Sequence, residues 1–227
     1  MSEQETPHPT PAPALRPVRG AARCAVAGLA LAALAWAARA VWHLRLAMAG
    51  QPASGPPDQG DGVHRPLTAL EDSYHLVNSV GAAVTVVCAL AFLSWLDRVR
   101  DNARALSGAE PQYAYPWLFA GWIVPVVNLW IPRGIVADAH RSLFPDRRLP
   151  AVVNWWWGLW LVGLAGDLGL IHAGSTDEVI ARAYTDVLPL LAADMVIVAA
   201  AGTAALMIRT LTTAQQQRMD ETARPAT

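Results

Sequence analysis

Three ionisable side chains interrupt long apolar stretches of this sequence: Arg39, Asp167 and Asp194. An ionisable group inside a membrane-spanning helix is costly, so each of them is a candidate functional residue. Asn78 lies at a similar distance from the end of its own apolar stretch. If the stretches form antiparallel helices, the spacing predicts that all four side chains lie at nearly the same depth. We call these four residues the predicted polar layer.

Two kinds of chemistry fit the predicted polar layer. In the first, Asp167 and Asp194 carry a proton or a cation, and Arg39 supplies the counter-charge. In the second, an Arg–Asp pair between helices fixes their register, and Asn78 completes its hydrogen bonds. The pairing role is the simpler and favoured use of such groups. Two acids against one base nevertheless leave one carboxylate to be explained, so both alternatives stay open.

Other reactive groups form weaker patterns. His43, His75 and His172 would lie near the same predicted membrane surface as Asp167, where together they could bind a transition metal. No two of these histidines are four residues apart, and solvated histidines at the interface are the favoured interpretation. No nucleophile–base pair, phosphate-binding loop or metal motif is recognisable in the sequence. We therefore expect a non-enzymatic protein with no catalytic residue, no metal and no cofactor.

The elements that must position these residues are four almost uncharged apolar stretches, at 24–44, 76–96, 152–171 and 187–208. Each is close to the roughly 20 residues that a helix needs to cross a bilayer. They predict an all-α fold, an integral membrane four-helix bundle over residues 21–211. The first stretch also has features of a signal peptide, but it continues past Arg39, so an uncleaved helix is favoured.

The segments around the apolar stretches predict helix ends and tails. Residues 1–20 are rich in proline and are expected to be disordered, and residues 212–227 are expected to form a polar C-terminal tail. Thr68 with Glu71 has the spacing of a capping box at the start of the second helix, and Ser175 with Glu178 has the same spacing before the last one.

The stretch 117–131 decides the number of membrane crossings. It is apolar, but it is shorter than a crossing requires and contains Pro125 and Asn128. If it crosses, Arg133 and the arginines after it lie outside the cell, against the positive-inside rule. If it turns back, there are four spans, both termini are cytoplasmic, and 13 of the 17 arginines are cytoplasmic. We therefore favour a short re-entrant element on the cytoplasmic side.

Residues 133–144 follow this stretch and have an amphipathic pattern. Their apolar residues recur on one helical face, with Arg133 and Arg141 away from it. This pattern predicts an amphipathic helix lying in the membrane interface. Eight of the ten tryptophans map to the same cytoplasmic half, which favours an aromatic belt at the interface, with an aromatic ligand cage as the alternative.

One motif within this region has a family resemblance. It consists of Trp122, Pro125, Asn128, Trp130 and Pro132, and it is followed by the sequence WWWGLW. Together with WLDRVRDNARAL before it, the motif resembles an actinobacterial membrane-protein family known as domain of unknown function 4328, over roughly residues 70–210. The resemblance implies a multi-pass membrane protein, and it implies no activity and no catalytic residue.

These patterns together predict a structural, scaffold or sensor component of the cytoplasmic membrane. The alternative is a small transporter or channel subunit that uses the predicted polar layer. The expected partners are membrane lipids, with a second copy of the chain or another membrane protein as a further candidate, and nucleic acid is not expected. The residues expected to meet anionic lipid headgroups are Arg133, Arg141, Arg147 and Arg148.

Overall fold

The protein is all-helical in the part of the chain that its computed structural model describes. That part comprises residues 15–171 and 175–224, with only the backbone described for residues 167–171. Helix accounts for 77% of the structure, and the described residues form no strand. The described helices are α1 (Arg19–Ala49), α2 (Ala69–Ser107), α3 (Trp117–Ile123), α4 (Ile131–Leu143), α5 (Ala151–Ile171), α6 (Thr176–Thr185) and α7 (Val187–Thr222), with a 3₁₀ turn at Val127–Leu129 between α3 and α4.

Three of the described helices, α1, α2 and α7, are long and apolar enough to cross a membrane, judged by length and composition. The fourth predicted span, 152–171, forms α5, which is 21 residues long. The described apolar portion of α5 is Ala151–Gly166, and the side chains of residues 167–171 lie outside the described part. The predicted all-helical fold is confirmed, and three of its helices are long and apolar enough to span a membrane.

Close approaches of the backbone show how the long helices pack. Helix α1 packs against both α2 and α7, and α5 packs against α7. A Cβ atom added at Gly28 of α1 would lie 3.1 Å from the Cα atom of Cys88 on α2. A Cβ atom at Gly163 of α5 would lie 2.8 Å from Cγ1 of Ile197 on α7. These glycines therefore bring each pair of helices closer than a larger residue allows.

The predicted capping box at the start of α2 is confirmed. The Thr68 hydroxyl accepts a hydrogen bond from the Glu71 amide, and the Glu71 carboxylate accepts one from the Thr68 amide. At the start of α6 the Ser175 hydroxyl likewise accepts from the Glu178 amide. That helix ends at Thr185, so the cap begins a separate short helix and not the last long one.

The structure corrects the placement of the amphipathic helix. The predicted helix 133–144 corresponds to α4, and its apolar residues Ile135, Val136 and Leu143 are buried. They belong to one apolar core with Leu96 of α2 and Met207 of α7. The apolar face of α4 therefore packs on protein, where the sequence predicted lipid. An amphipathic pattern shows that one face needs an apolar cover, but it does not show which cover it has.

Both predicted tails differ from the structure where they are described. Near the N-terminus, Val18 is buried, and the Asn102 side chain bonds both the amide and the carbonyl of Arg16. Near the C-terminus, α7 continues to Thr222, and the buried Gln215 side chain donates to the Val99 carbonyl at 2.9 Å. Polar side chains that bond backbone groups hold these segments on α2. Residues 1–14 and 225–227 lie outside the described part.

Candidate functional site

A buried ion-pair layer joins α1 to α7. Asp194 on α7 is fully buried, its Oδ1 atom accepts a hydrogen bond from Nε of Arg39 at 2.7 Å, and the same oxygen forms an ion pair with Nη2 of Arg39 at 2.6 Å. Its Oδ2 atom lies 2.9 Å from Nδ1 of His43. Arg39 and His43 are four residues apart on α1, so both reach the same carboxylate from one helical face. Both oxygens of Asp194 are therefore engaged.

The surroundings of the layer are aromatic. The guanidinium carbon of Arg39 lies 3.9 Å from the centroid of the Trp36 ring, a cation–π contact from the preceding turn. The rings of Trp42 and His43 meet edge to face with centroids 5.2 Å apart. Trp42 in turn donates its indole N–H to the Leu70 carbonyl at 2.9 Å. These contacts hold the charged groups of α1 in place against both α2 and α7.

The predicted polar layer is assembled only in part. Arg39 and Asp194 come together, but Asn78 is exposed on α2. His43, which we predicted to be a solvated interfacial residue, is only 1% exposed. The signal that could have revealed it is its four-residue spacing from Arg39. The Asp167 side chain lies outside the described residues, as does His172.

A second buried cluster closes the same end of the bundle. Glu71 is fully buried and accepts hydrogen bonds from Nη1 and Nη2 of Arg65 at 2.9 and 2.6 Å. The Tyr184 hydroxyl of α6 donates to Glu71 at 2.9 Å. These bonds raise the pKa of Arg65, and burial together with the Glu71 bond raises the pKa of Tyr184 to about 12. The cluster connects the loop before α2 to α6. The sequence predicted only the capping box of Thr68 and Glu71 within it.

The chain turns back within the stretch 117–131. Helix α3 ends at Ile123, and Pro125 lies in the break that follows. A Cβ atom added at Gly121 would lie 2.6 Å from Cγ2 of Ile131. These residues are ten positions apart, which would separate them by about 15 Å along a continuous helix. The stretch is therefore two short arms in contact and not one helix.

The motif of Trp122, Pro125, Asn128, Trp130 and Pro132, which we call the tryptophan–proline motif, supports this turn in different ways. Asn128 is buried and donates its side-chain amide to the Trp122 carbonyl at 3.2 Å, which serves a backbone group near the break. The Trp122 ring lies 5.4 Å from Phe92 and 6.0 Å from Trp160, between centroids. Pro132 occupies the first turn of α4, and Trp130 is exposed.

The four arginines predicted to meet lipid headgroups have different surroundings. Arg133 donates to the Asn154 side chain of α5 at 2.6 and 3.0 Å, and Arg141 lies 3.4 Å from the Gln112 side-chain oxygen. The guanidinium of Arg147 lies 5.2 Å from the centroid of the Phe144 ring, and Arg148 is exposed.

In the described part of the chain, no three metal-ligating side chains cluster together.

Comparison with protein families matches residues 65–213 to the family described as "Domain of unknown function (DUF4328)". The match contains α2 to α6 and most of α7, and it includes Asp194 and the tryptophan–proline motif. It leaves out α1, which carries Arg39 and His43. Neither the curated proteins nor the solved structures contain a match to the chain.

Proposed function

The chain belongs to the family of domain of unknown function DUF4328, and from this premise we propose that it is a structural, scaffold or sensor component of the cytoplasmic membrane and not an enzyme. In this proposal α1, α2, α5 and α7 form a four-helix, multi-pass bundle with both termini in the cytoplasm. Membrane lipids are its partners, and a second copy or another membrane protein is a further candidate.

The exposed tip of the turn at 117–131 supports a re-entrant element. Ile123 is 78% exposed, Val126 is 64% exposed and Trp130 is 52% exposed. Such a group of large apolar side chains is unfavourable in water and is favourable in the bilayer interface. In this proposal Arg133 and Arg141, which follow the turn, face the lipid phosphates, and each also has a protein partner.

The observation that supports the structural role is that Asp194 is buried and that both of its carboxylate oxygens are bonded. A carrier carboxylate must be reached from one side of the membrane in at least one state, whereas Asp194 is fully buried and bonded through both oxygens. A buried, fully paired carboxylate between two helices fixes their register and rotation. We infer that the layer locks α1 to α7 and does not move a charge.

The alternative is a small transporter or channel subunit. It is favoured by the direct contact of two titratable groups, His43 and Asp194, inside helices that are apolar enough to span a membrane. Histidine–carboxylate pairs at membrane depth are typical of proton relays. The two functions predict different effects of a neutral replacement of Asp194. In the structural role the replacement lowers stability, and in the transporter role it abolishes a proton flux.

The deciding experiment combines Asp194→Asn, alone and with Asp167→Asn, with stability and flux measurements. We expect Asp194→Asn to lower the free energy of unfolding in detergent by about 3–5 kcal/mol, because it removes the buried carboxylate charge that pairs with Arg39. We expect wild-type proteoliposomes to show no proton flux above that of empty liposomes. Asp186→Asn is the matched control, because Asp186 is exposed at the start of α7.

A pH-driven proton flux in wild-type proteoliposomes would contradict the structural role if Asp194→Asn abolished it at unchanged stability. The double variant extends the comparison to the remaining acid of the predicted polar layer. A flux that survives both substitutions would also contradict the proposal, and it would place the pathway elsewhere in the bundle.

A further inference from the structure

A groove with three arginines at its mouth lies between the start of α1 and the second half of α7. Its volume is about 380 Å³. The arginines are Arg19, Arg23 and Arg209, and the wall below them is formed by apolar residues of α1 such as Val26 and Ala30. Arg19 and Arg23 are one turn apart on α1, so their side chains extend from the same face.

These arginines differ from their neighbours in having no acidic partner. In the described part of the chain, Arg19, Arg23 and Arg209 form no ion pair with a carboxylate, and all three are exposed. Arg16, only three residues earlier, is paired with both Asp97 and Asp101 at 3.0 and 2.7 Å. Within the described part of the chain, the positive charge of the groove is therefore not neutralised by an ion pair.

The position of the groove along the helices fits the boundary of a bilayer. Arg23 immediately precedes the apolar stretch 24–44, and Arg209 immediately follows the stretch 187–208. Both are thus at the ends of segments long enough to cross the hydrocarbon core, which is the level of the lipid phosphates. From that level the apolar wall of the groove runs toward the membrane interior.

We propose that this groove binds one anionic phospholipid. The phosphate lies against Arg19, Arg23 and Arg209, because guanidinium groups form paired, charge-assisted hydrogen bonds with phosphate oxygens. One acyl chain lies along Val26 and Ala30, and it covers apolar surface that the groove leaves open. Basic pockets between membrane helices are a known setting for such headgroups. The inference rests on the proposed membrane role, and it concerns a surface separate from Arg133, Arg141, Arg147 and Arg148.

The test is native mass spectrometry of the full chain in detergent, titrated with dioleoyl phosphatidylglycerol. We expect one tightly bound lipid in the wild type, and at least about tenfold weaker binding after Arg19→Gln, Arg23→Gln and Arg209→Gln together. The matched control is the triple variant Arg45→Gln, Arg104→Gln and Arg224→Gln, which removes the same charge from three exposed positions outside the groove. We expect its affinity to stay within about twofold of wild type. Equal weakening by both variants would overturn the site in favour of a diffuse charge effect.

A second variant tests the chain-binding part without changing charge. Ala27→Phe places a ring on the groove wall, and Ala38→Phe places the same ring on an exposed position of α1 farther along. We expect only Ala27→Phe to weaken phosphatidylglycerol binding. Equal effects of the two rings would overturn the placement of the acyl chain, and this variant stays informative if the arginine triple variant does not fold.

Two further probes separate the possible sources of phosphate. Dioleoyl phosphatidylcholine should bind more weakly, because its headgroup has no net charge. Inorganic phosphate should bind more weakly than phosphatidylglycerol, because it has no chain for the apolar wall. If inorganic phosphate binds as tightly as phosphatidylglycerol, the groove is an anion site and the lipid proposal is wrong. The flux and stability experiment on Asp194 does not depend on any of these outcomes, so the two proposals can fail separately.

Discussion

His140 on α4 combines a titratable ring with an apolar position. It is 6% exposed and lies against the Phe144 ring with centroids 5.4 Å apart, and its Nδ1 atom has no hydrogen-bond partner among the described residues. Burial, and to a lesser extent the charge of Arg147, lowers the pKa of His140 below its ordinary value. The folded protein therefore favours the neutral imidazole.

This shift predicts a pH dependence of stability. Because the pKa of His140 is lower in the folded state, the unfolded state binds more protons below about pH 6.5, and stability falls as the pH decreases through that value toward the folded pKa. The loss approaches about 1.4 kcal/mol for each unit between the two pKa values. We expect His140→Leu to remove this part of the acid destabilisation in detergent melts between pH 5 and 8.

The control for this experiment is His75→Leu, because His75 is exposed on α2. It should leave the slope of melting temperature against pH as in the wild type. If His140→Leu retains the full acid destabilisation, the imidazole is not desolvated in the folded state, and its burial in the core under α4 is wrong.

The ion-pair layer shows what a sequence predicts about single residues. The distance of a residue from the end of an apolar stretch gives its depth, and depth placed Arg39 and Asp194 together. It does not give the rotation of each helix about its axis. Asn78 is exposed on α2, whereas His43, assigned to the solvated interface, is buried and bonds the carboxylate. Rotation is set by packing over the whole helix, so single polar residues do not reveal it.

At the scale of elements, the contact of α5 with α7 depends on glycine. A Cβ atom at Gly163 would lie 2.8 Å from Cγ1 of Ile197, whereas a Cβ atom at Gly158, on the same helix, would meet open space. Replacing glycine by alanine inside a helix stabilises the helix by about 1 kcal/mol. Adding a methyl group to a contact that has no room for it destabilises the fold by about 1–3 kcal/mol. We therefore expect Gly163→Ala to be destabilising on balance and Gly158→Ala to be stabilising.

The free energy of unfolding of the two variants is measured in denaturing detergent. They form a matched pair, since both carry the same substitution in one helix. Opposite signs of the change in free energy support the packing of α5 on α7. Two equally stabilised variants would show that α5 and α7 lie farther apart than in this structure.

The element boundaries that the sequence missed have a common cause. The segment after residue 211 has few apolar residues, so its composition predicted a polar tail. In the structure, Thr212 accepts the Trp95 indole N–H at 3.0 Å and Gln215 donates to a backbone carbonyl, so α7 continues along α2. Amino-acid composition predicts the burial of apolar side chains. It does not predict the burial of polar side chains whose hydrogen bonds are made by specific partners. The capping box of α2 was predictable because its two residues contact each other locally.

At the scale of the whole molecule, the two buried clusters lie where α1 ends, where α2 begins and where α6 leads into α7. Asp194 fixes α1 to α7, and Glu71 fixes the loop before α2 to Tyr184 of α6. The opposite end has no comparable charged pair in its core among the described residues and is held by the aromatic and aliphatic core around Trp95 and Met207. The end with the ion pairs also has an apolar cluster that includes Trp42 and Leu46, so the buried charged pairs are what distinguishes it from the other end among the described residues.

The orientation of these two ends in the membrane is the last prediction. We expect reporter fusions after Arg104 and Arg148 to report the cytoplasm, and a fusion after Ser175 to report the outside, each in an otherwise intact chain. The reason is that Gly121 contacts Ile131, so the chain between the first two fusion points returns to the side from which it came. This path also keeps the arginines of both flanks on the cytoplasmic side. If the fusion after Arg148 reports the outside, the stretch 117–131 crosses the membrane, and the Gly121–Ile131 contact cannot exist in the bilayer. In that case Arg23 and Arg209 would lie on opposite sides, and the groove between α1 and α7 could not bind one phosphate with both.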